Sequence, residues 1–190
     1  GIRIGIIDSG IDYQHADMGG TGLLADYQAN NRRVITEVGA AAFPTAKVVG
    51  GWDFAGDAYT GSNAPAPDPD PMDCLGHGSH VAGIAAGIGV NADGTPYVGA
   101  YGPTTPFGSM RIGPGAAPQA SLYSLRVFGC GGSTGLTVNA INWAVDPNND
   151  IHEVLTVYHD NNDGKNKVEL RIPRNKDYLG AAHGRGYVIY

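Results

Sequence analysis

The chain has 190 residues, 42% of which are hydrophobic, and a formal net charge of −6 at pH 7. This length is typical of one domain, and the apolar content is sufficient for a hydrophobic core, which excludes global disorder. The acidic balance excludes an electrostatic basis for binding nucleic acid or an anionic membrane, and the longest apolar stretch, residues 81–90, is too short to span a bilayer.

The first predicted element is a buried strand. Residues 2–7 (IRIGII) are mostly apolar and β-branched, and they lead into Asp8-Ser9-Gly10. Such a continuous apolar run is typical of a parallel strand that is covered on both faces. A second strand is predicted over residues 46–54. Residues 55–76 are predicted to be an extended loop, because four prolines restrict its backbone.

Helical periodicity begins at His77. The next apolar residues recur at three- and four-residue spacing, which predicts a helix with an inner face of Val81, Ile84, Ala85 and Ile88. Residues 91–118 predict a long loop rich in glycine and proline, and residues 120–128 predict a third strand. A second helix is expected after a cap at Ser133 or Thr134. Its predicted inner face is Val138, Ile141, Ala144 and Val145.

Strands that alternate with helices predict an α/β domain with a parallel sheet and flanking helices. The pattern changes after Asp150, since residues 1–150 carry a formal charge of −7 and residues 151–190 carry +1. In the second segment, IHEVLTVYH and KVELRIP predict an antiparallel hairpin around a polar DNNDGKN turn. We therefore expect a main domain over residues 1–150 and a distinct tail over residues 151–190.

Three motifs in chain order carry a resemblance to a known family. They are Asp8-Ser9-Gly10 at a strand end, GHGSHVAG over residues 76–83 at a helix start, and GAAPQA over residues 115–120 before a strand. Together they resemble the signatures of the subtilisin-like (subtilase) serine peptidases. The resemblance covers about residues 2–150. It implies a hydrolase of the serine endopeptidase class with an incomplete subtilisin-like fold.

The resemblance implies that Asp8 and His77 are two members of a catalytic triad. A base for a serine hydroxyl should titrate near neutral pH, which selects histidine. That histidine needs a fixed carboxylate to set its tautomer, which selects a rigidly held aspartate. Glycines at 76 and 78 would let backbone and substrate approach His77 without Cβ clashes. The nearby His80 is assigned to the core.

The resemblance also implies a substrate-binding edge. In subtilases the segment after the third strand pairs with an extended polypeptide, and here that segment is Gly131, Gly132 and Ser133. The alternative is a plain glycine-rich turn before the helix. The implied partner is a polypeptide substrate in extended conformation, with no nucleic acid and no membrane span, and the implied state is a monomer.

The two cysteines, Cys74 and Cys130, are compatible on composition alone with one disulfide or with two buried thiols. In the family fold both positions border the same cleft, so the resemblance implies a Cys74–Cys130 disulfide. Closing a loop of roughly 56 residues would stabilise the fold by on the order of 4 kcal/mol. It would also imply an oxidising, extracellular setting for a secreted protein.

The resemblance implies no cofactor for the chemistry but does imply a structural calcium ion. Asp17 matches a position that ligates calcium in many subtilases. Asn91 and Asp93 lie in the loop that would supply further oxygen ligands.

The resemblance ends near Asp150. In subtilases the second helix is followed by a buried strand, an asparagine that donates to the oxyanion, and a G-T-S-M-A block that carries the nucleophile. We expect none of these in residues 151–190, and no serine follows Ser133. The tail is then either foreign sequence or part of a divergent protein. In both cases we predict that this chain alone hydrolyses no peptide bond, because His77 has no hydroxyl to activate.

Three functions fit the sequence. The first is the Asp- and His-bearing part of a secreted endopeptidase. The second is a catalytically dead subtilase-like module that binds peptides at residues 131–133 or calcium at Asp17. The third is a secreted structural domain whose 30 glycines serve only its turns. A G-T-S-M-A-like block encoded downstream of Asp150 would separate the first function from the second.

Overall fold

The computed structural model describes residues 1–35, 42–146, 148, 153–159, 166–171 and 188–189. Its strands are β1 (Arg3–Asp8), β2 (Val48–Asp53), β3 (Ser121–Arg126), β4 (Glu153–His159), β5 (Asn166–Arg171) and β6 (Val188–Ile189). Its helices are α1 (Leu24–Ala29), α2 (His77–Ala86) and α3 (Thr137–Ala144), with short 3-10 turns at Ala16–Met18 and Phe107–Ser109. All three predicted strands of the main domain are present within one or two residues of their expected bounds.

The strands form one sheet in the order β2-β3-β1-β4-β5-β6. The first four strands of this order run parallel, and β5 and β6 are antiparallel to their neighbours. The predicted α/β fold with a parallel sheet is therefore confirmed. In this register Asp8 lies beside Arg126, which lies beside Asp53. Three charged residues thus occupy neighbouring positions at the carboxyl edge of the sheet.

The two longer helices cover opposite faces of the sheet. Successive residues of a strand point to opposite faces. Accordingly, Ile6 belongs to the same buried cluster as Val81 of α2, whereas Ile7 belongs to a second cluster with Ala140 of α3. Five of the six β1 residues are buried. The strand that ends at Asp8 is therefore held rigidly from both sides.

The inner face of α2 differs from the prediction. Ile84 is 62% exposed, and the buried residues of the helix are the small ones together with Val81. A Cβ atom on Gly78 would lie 2.1 Å from the carbonyl oxygen of Gly10. Because the helix approaches the β1 end so closely, its inner face accepts glycine and alanine, and its larger side chain turns outward.

The start and inner face of α3 also differ from the prediction. The helix begins at Thr137 after Leu136, which makes no side-chain cap, so neither Ser133 nor Thr134 caps it. Its buried residues are Ala140 and Ala144, while Val138 and Val145 are 64% and 51% exposed. The later start does not explain the wrong inner face, because the 3.6-residue period is the same wherever the helix begins. The error came from assigning the inner face to the larger apolar side chains.

The predicted hairpin after the main domain is confirmed, since β4 and β5 pair antiparallel from Val154↔Arg171 to His159↔Asn166. Its polar turn, predicted over residues 160–166, lies outside the described residues except for Asn166, which begins β5. The expectation that no strand of the parallel sheet follows the second helix was wrong, because β4 pairs parallel with β1. That pairing satisfies backbone groups that a free β1 edge would leave open.

Helix α1 was not predicted. It has six residues and none of them is buried, so it carries no apolar periodicity that sequence reasoning could detect. Among the described residues, none of the helices has the length and apolar character needed to cross a membrane.

Candidate active site

The site is centred on a contact between the end of β1 and the start of α2. The Nδ1 atom of His77 lies 2.8 Å and 2.9 Å from the two carboxylate oxygens of Asp8. Asp8 is 3% exposed, whereas the His77 side chain is 50% exposed. The backbone N–H of Ser9 also donates to Asp8 Oδ1 at 2.7 Å. The backbone N–H of the next residue thus holds the aspartate in place, and the imidazole lies between the aspartate and solvent.

Two glycines flank His77 for different physical reasons. A Cβ atom on Gly78 would collide with the backbone of Gly10, so residue 78 must be glycine for the helix to approach β1. Gly76 has no neighbour within 4 Å of such an atom, but its φ of 90° lies in the left-handed region. The expectation that both glycines prevent clashes therefore holds for Gly78, whereas Gly76 is explained by its backbone conformation.

A third carboxylate, Asp73, lies beneath this contact and was not identified from the sequence. It is 2% exposed and accepts five hydrogen bonds. Its Oδ1 accepts from Ser9 Oγ at 2.9 Å and from the backbone N–H groups of Leu75 and Gly76 at 2.8 Å and 3.0 Å. Its Oδ2 accepts from the backbone N–H and the hydroxyl of Ser79 at 3.0 Å and 2.6 Å.

The two serine hydroxyls extend this arrangement across both chain segments. Ser9 Oγ accepts from the backbone N–H of Gly78 at 2.9 Å, and Ser79 Oγ accepts from the backbone N–H of Asp12 at 2.8 Å. An aspartate a few residues before a predicted helix is a usable capping signal. It could have marked Asp73 as a helix cap, but the link to Ser9 depends on the tertiary fold.

A buried arginine occupies the neighbouring strand end. Arg126 is fully buried; its Nη1 lies 3.0 Å from Asp53 Oδ2 and its Nη2 lies 2.9 Å from Asp57 Oδ1. It also donates to the carbonyl oxygens of Met72 and Phe128. Burial raises the pKa of Asp53 above its usual range, although Arg126 acts in the opposite direction. The guanidinium therefore compensates one fully buried carboxylate and one that is partly exposed.

The two cysteines meet beside this arginine. The structure joins Cys74 and Cys130, with Cα atoms 5.3 Å apart and Sγ atoms 2.11 Å apart. Arg126 Nη2 lies 3.1 Å from the sulfur of Cys74 and 3.6 Å from that of Cys130. Among the described residues, the one cluster of three metal-ligating side chains is Asp57 with these cysteines. Because the sulfurs are bonded to each other, the cluster is not a metal site.

The predicted substrate edge, Gly131 to Ser133, lies on the surface. One side of it packs on the loop after β2, since Ser133 donates from its backbone N–H to the carbonyl oxygen of Thr60. A Cβ atom on Gly132 would lie 2.6 Å from that same oxygen, whereas one on Gly131 would meet nothing within 4 Å. The segment therefore has a packed side and an open side, and its role in binding substrate stays a prediction.

The residues predicted to bind calcium all make hydrogen bonds in the structure, Asp17 to the segment after α2, and Asn91 and Asp93 within their own loop. Asp17 Oδ1 accepts from the backbone N–H of Gly89 at 2.7 Å, and burial raises the pKa of this carboxyl group. Asn91 donates from its amide to Thr95 and Pro96, and the exposed Asp93 accepts from Thr95. Among the described residues no hydrogen bond joins Asp17 to Asn91 or Asp93. The calcium site stays a prediction.

His80 is exposed, so its assignment to the core was wrong. It lies three residues after His77 on α2, and residues at that spacing share one face of a helix. Because the face that carries His77 is open to solvent, His80 is open as well. It lines a surface cavity together with His15 and Ser79.

Known proteins match the part of the chain that carries these residues. A sequence model described as the subtilase family matches residues 1–154. Thermitase from Thermoactinomyces vulgaris is 29% identical over 148 residues, which are 77% of this chain and 34% of thermitase. The minor extracellular protease Vpr of Bacillus subtilis is 30% identical over 141 residues, which are 74% of this chain and 12% of Vpr.

A third relative matches further along the chain. The thermostable alkaline protease of Halalkalibacterium halodurans is 26% identical over 181 residues, which are 88% of this chain and 41% of that protein. The chain thus spans at most about two fifths of the length of these three relatives.

Proposed function

Because the chain belongs to the subtilase family of serine peptidases, we propose that Asp8 and His77 are the aspartate and the histidine of a subtilisin-type catalytic triad. The observation that carries this proposal is the contact of His77 Nδ1 with both oxygens of a buried Asp8. Family membership sets the reaction class, and the contact selects the residues. The substrate class is a polypeptide.

The geometry gives each residue a distinct part in the reaction. When Nδ1 carries a proton and donates a hydrogen bond to Asp8, the lone pair of the neutral imidazole is on Nε2. His77 then takes the proton of a serine hydroxyl during attack and returns it to the leaving amine. Asp8 holds the ring in the required tautomer and stabilises the imidazolium that forms. Half of the His77 side chain is exposed, which leaves room for both partners.

The substrate is proposed to lie in extended conformation along residues 131–133. These residues are exposed, and a Cβ atom added at Gly131 would meet no atom of the described residues beyond its chain neighbours within 4 Å, which leaves space for a second backbone. Main-chain pairing of this kind binds peptides with little dependence on side-chain identity. On this proposal, replacing Gly131 with a bulky residue raises KM more than it lowers kcat.

The 190-residue chain by itself is proposed to be inactive. Its last serine is Ser133, whose backbone is tied to Thr60 in the proposed substrate edge. An acyl-transfer reaction needs a nucleophile within hydrogen-bond reach of the base. The serine would therefore be supplied by sequence other than these residues.

A pair of polypeptides tests this proposal. One is the 190-residue chain, and the other joins residues 1–154, the extent of the family match, to the part of thermitase that follows the position corresponding to residue 154. Both are treated with a fluorophosphonate, which acylates an activated serine. We expect labelling of the joined polypeptide alone. Stoichiometric labelling of the 190-residue chain would contradict its inactivity, and a folded but unlabelled joined polypeptide would contradict the peptidase proposal.

A second candidate is a peptide-binding module without catalysis. It is favoured by the open side of residues 131–133, which does not depend on a nucleophile. Titrating the 190-residue chain with an extended peptide separates the two. Binding that is unchanged by His77→Ala, together with an unlabelled joined polypeptide, would favour the module.

The proposed setting is extracellular. The joined pair of Cys74 and Cys130 is stable where the medium is oxidising, and one relative carries the name of an extracellular protease. Thiol titration of the unfolded, unreduced protein checks this. We expect no free thiol, and two free thiols per chain in protein isolated from its natural source would contradict the proposal.

The boundary of the domain is proposed to lie beyond the predicted residue 150. The family match continues to residue 154, and β4 pairs with β1 over residues 153–156. Both observations favour assigning β4 to the catalytic domain, rather than to a foreign tail.

A further inference from the structure

We infer that Asp73 is a positioning residue that holds Asp8 and His77 at their mutual distance. This inference rests on the proposed function, because the distance matters chemically only if the pair is catalytic. Asp73 acts through other groups, namely the hydroxyls of Ser9 and Ser79 and the backbone N–H groups at the start of α2.

The five contacts saturate this buried carboxylate. An ionised carboxylate offers about four lone-pair positions, all of them acceptors. At Asp73 the donors are three backbone N–H groups and two hydroxyls, so all five of these contacts come from neutral groups. An asparagine would offer one oxygen only. Its NH2 group would face donors rather than acceptors, so only aspartate satisfies the surrounding groups.

The contacts bracket both catalytic residues in sequence. On β1, Asp73 binds Ser9, the residue directly after Asp8. On α2, it binds the backbone N–H of Gly76, the residue directly before His77. Ser9 closes the loop by accepting from the backbone N–H of Gly78, directly after His77. Each member of the pair is therefore fixed one residue away by a group that depends on Asp73.

The geometry of the Asp8–His77 contact is thus set by a third carboxylate rather than by the pair alone. A displacement of about 1 Å in a catalytic group can cost roughly 100-fold in rate. Loss of Asp73 should allow displacements of this kind, because the two serine hydroxyls that also join the β1 end to the α2 start would then lack the carboxylate that orients them.

The test uses the imidazole proton of His77 in the isotopically labelled 190-residue chain, so it needs no peptidase activity. A proton shared between His77 Nδ1 and Asp8 should give a strongly deshielded, slowly exchanging resonance, which is assigned by its loss in His77→Ala. We expect the resonance in the parent and its loss by exchange broadening in Asp73→Asn. Ser9→Ala should broaden it as well, since it removes the contact of Asp73 with the β1 end together with the Ser9–Gly78 hydrogen bond.

Asp70→Asn is the matched control. Asp70 is also fully buried, but within the described part of the chain its carboxylate accepts hydrogen bonds from Tyr13 and the backbone of Met72, not from Ser9 or the start of α2. We expect this variant to keep the resonance. Equal loss of the resonance in Asp70→Asn and Asp73→Asn would overturn the inference, because the loss would then follow from replacing any buried aspartate and not from the contacts of Asp73.

Other outcomes are equally decisive. A folded Asp73→Asn chain that keeps the parental resonance overturns the inference and leaves the proposed function intact. If that variant does not fold, Ser9→Ala carries the test, and an unchanged resonance there overturns the inference. Absence of the resonance from the parent would contradict the Asp8–His77 hydrogen bond itself, and with it the proposed function.

Discussion

Two buried polar clusters lie next to the Asp8–His77 pair, and they stabilise negative charge in different ways. The Asp73 cluster (Asp73, Ser9 and Ser79) surrounds one carboxylate with neutral donors. The Arg126 cluster (Arg126, Asp53 and Asp57) balances two carboxylates with one guanidinium. Both clusters tie the carboxyl edge of the sheet to the loops above it.

This difference predicts what the protein loses when the central residue of each cluster is replaced. A buried carboxylate bound by neutral donors loses hydrogen bonds when it is replaced, but no charge is left uncompensated. A buried ion pair that loses its cation leaves a carboxylate uncompensated in the interior, here Asp53, which costs more than the pair contributed. The Arg126 cluster should therefore dominate the stability of this edge, and the Asp73 cluster should dominate its geometry.

The largest effect is expected from Arg126→Met. It leaves the fully buried Asp53 without its cation, while Asp57 keeps Arg32 at 3.6 Å, and should lower the free energy of unfolding by about 3–5 kcal/mol. Urea denaturation measures this, with the exposed Arg111→Met as the control that should change stability by less than about 0.5 kcal/mol. A loss for Arg126→Met as small as that of the control would contradict the role given to the Arg126 cluster.

A smaller loss of stability is expected from Asp73→Asn. Asparagine keeps one acceptor oxygen, so a few donors rather than a charge become unsatisfied, and the expected loss is about 1–3 kcal/mol. The same denaturation series measures it, beside Ser9→Ala at about 1 kcal/mol. A loss for Asp73→Asn greater than that for Arg126→Met would reverse the comparison of the two clusters.

The smallest effect is a pH dependence at Asp68, which lies near the Arg126 cluster. Burial, with further repulsion from Asp53 and Asp70, raises the pKa of Asp68 to about 6, and Arg126 only partly opposes this. In the unfolded chain an aspartate titrates near 4. The folded state therefore holds the proton more tightly, and its contribution to stability is present below about pH 4 and lost as the pH rises through about 6.

Asp68→Asn tests this contribution, because asparagine keeps the acceptor for the backbone N–H of Asp70 but cannot ionise. Since Asp68 is only partly buried, the loss between pH 4 and pH 7 should be limited by solvent screening to about 1 kcal/mol. Unfolding free energies of parent and variant across that range measure it. Parallel pH profiles for the two proteins would contradict the assignment.

Motifs that are local in the sequence predicted the central contact well. Asp8 follows a continuous apolar run, and His77 opens a helix, so both positions could be read from neighbouring residues. The buried helix faces were less predictable. On α2 and α3 the close approach to the sheet favours alanine and glycine, and the large side chains of Ile84 and Val138 face outward. Hydrophobicity alone would place the isoleucine and the valine inside and the glycines and alanines outside.

The two polar clusters could not be predicted from the sequence. Asp73 and Ser9 are 64 positions apart, and Arg126 and Asp57 are 69 apart. Their pairing depends on the order β2-β3-β1, which brings the loop after β2 and the loop before α2 to the same edge. The spacing of residues along the sequence does not indicate that these two loops come together. The same limit explains why β4 was not predicted as a neighbour of β1.

The central claim is that His77 acts as the base through its contact with Asp8. The most direct test is the kcat for peptide hydrolysis of the joined polypeptide with His77→Ala, beside His80→Ala on the same exposed helix face. We expect His77→Ala to lower kcat by about 10⁶-fold, the size found for the corresponding histidine of subtilisin, the family's namesake. His80→Ala should leave kcat within about twofold, since no acid–base role falls to that residue. Comparable kcat values for the two variants would contradict the account.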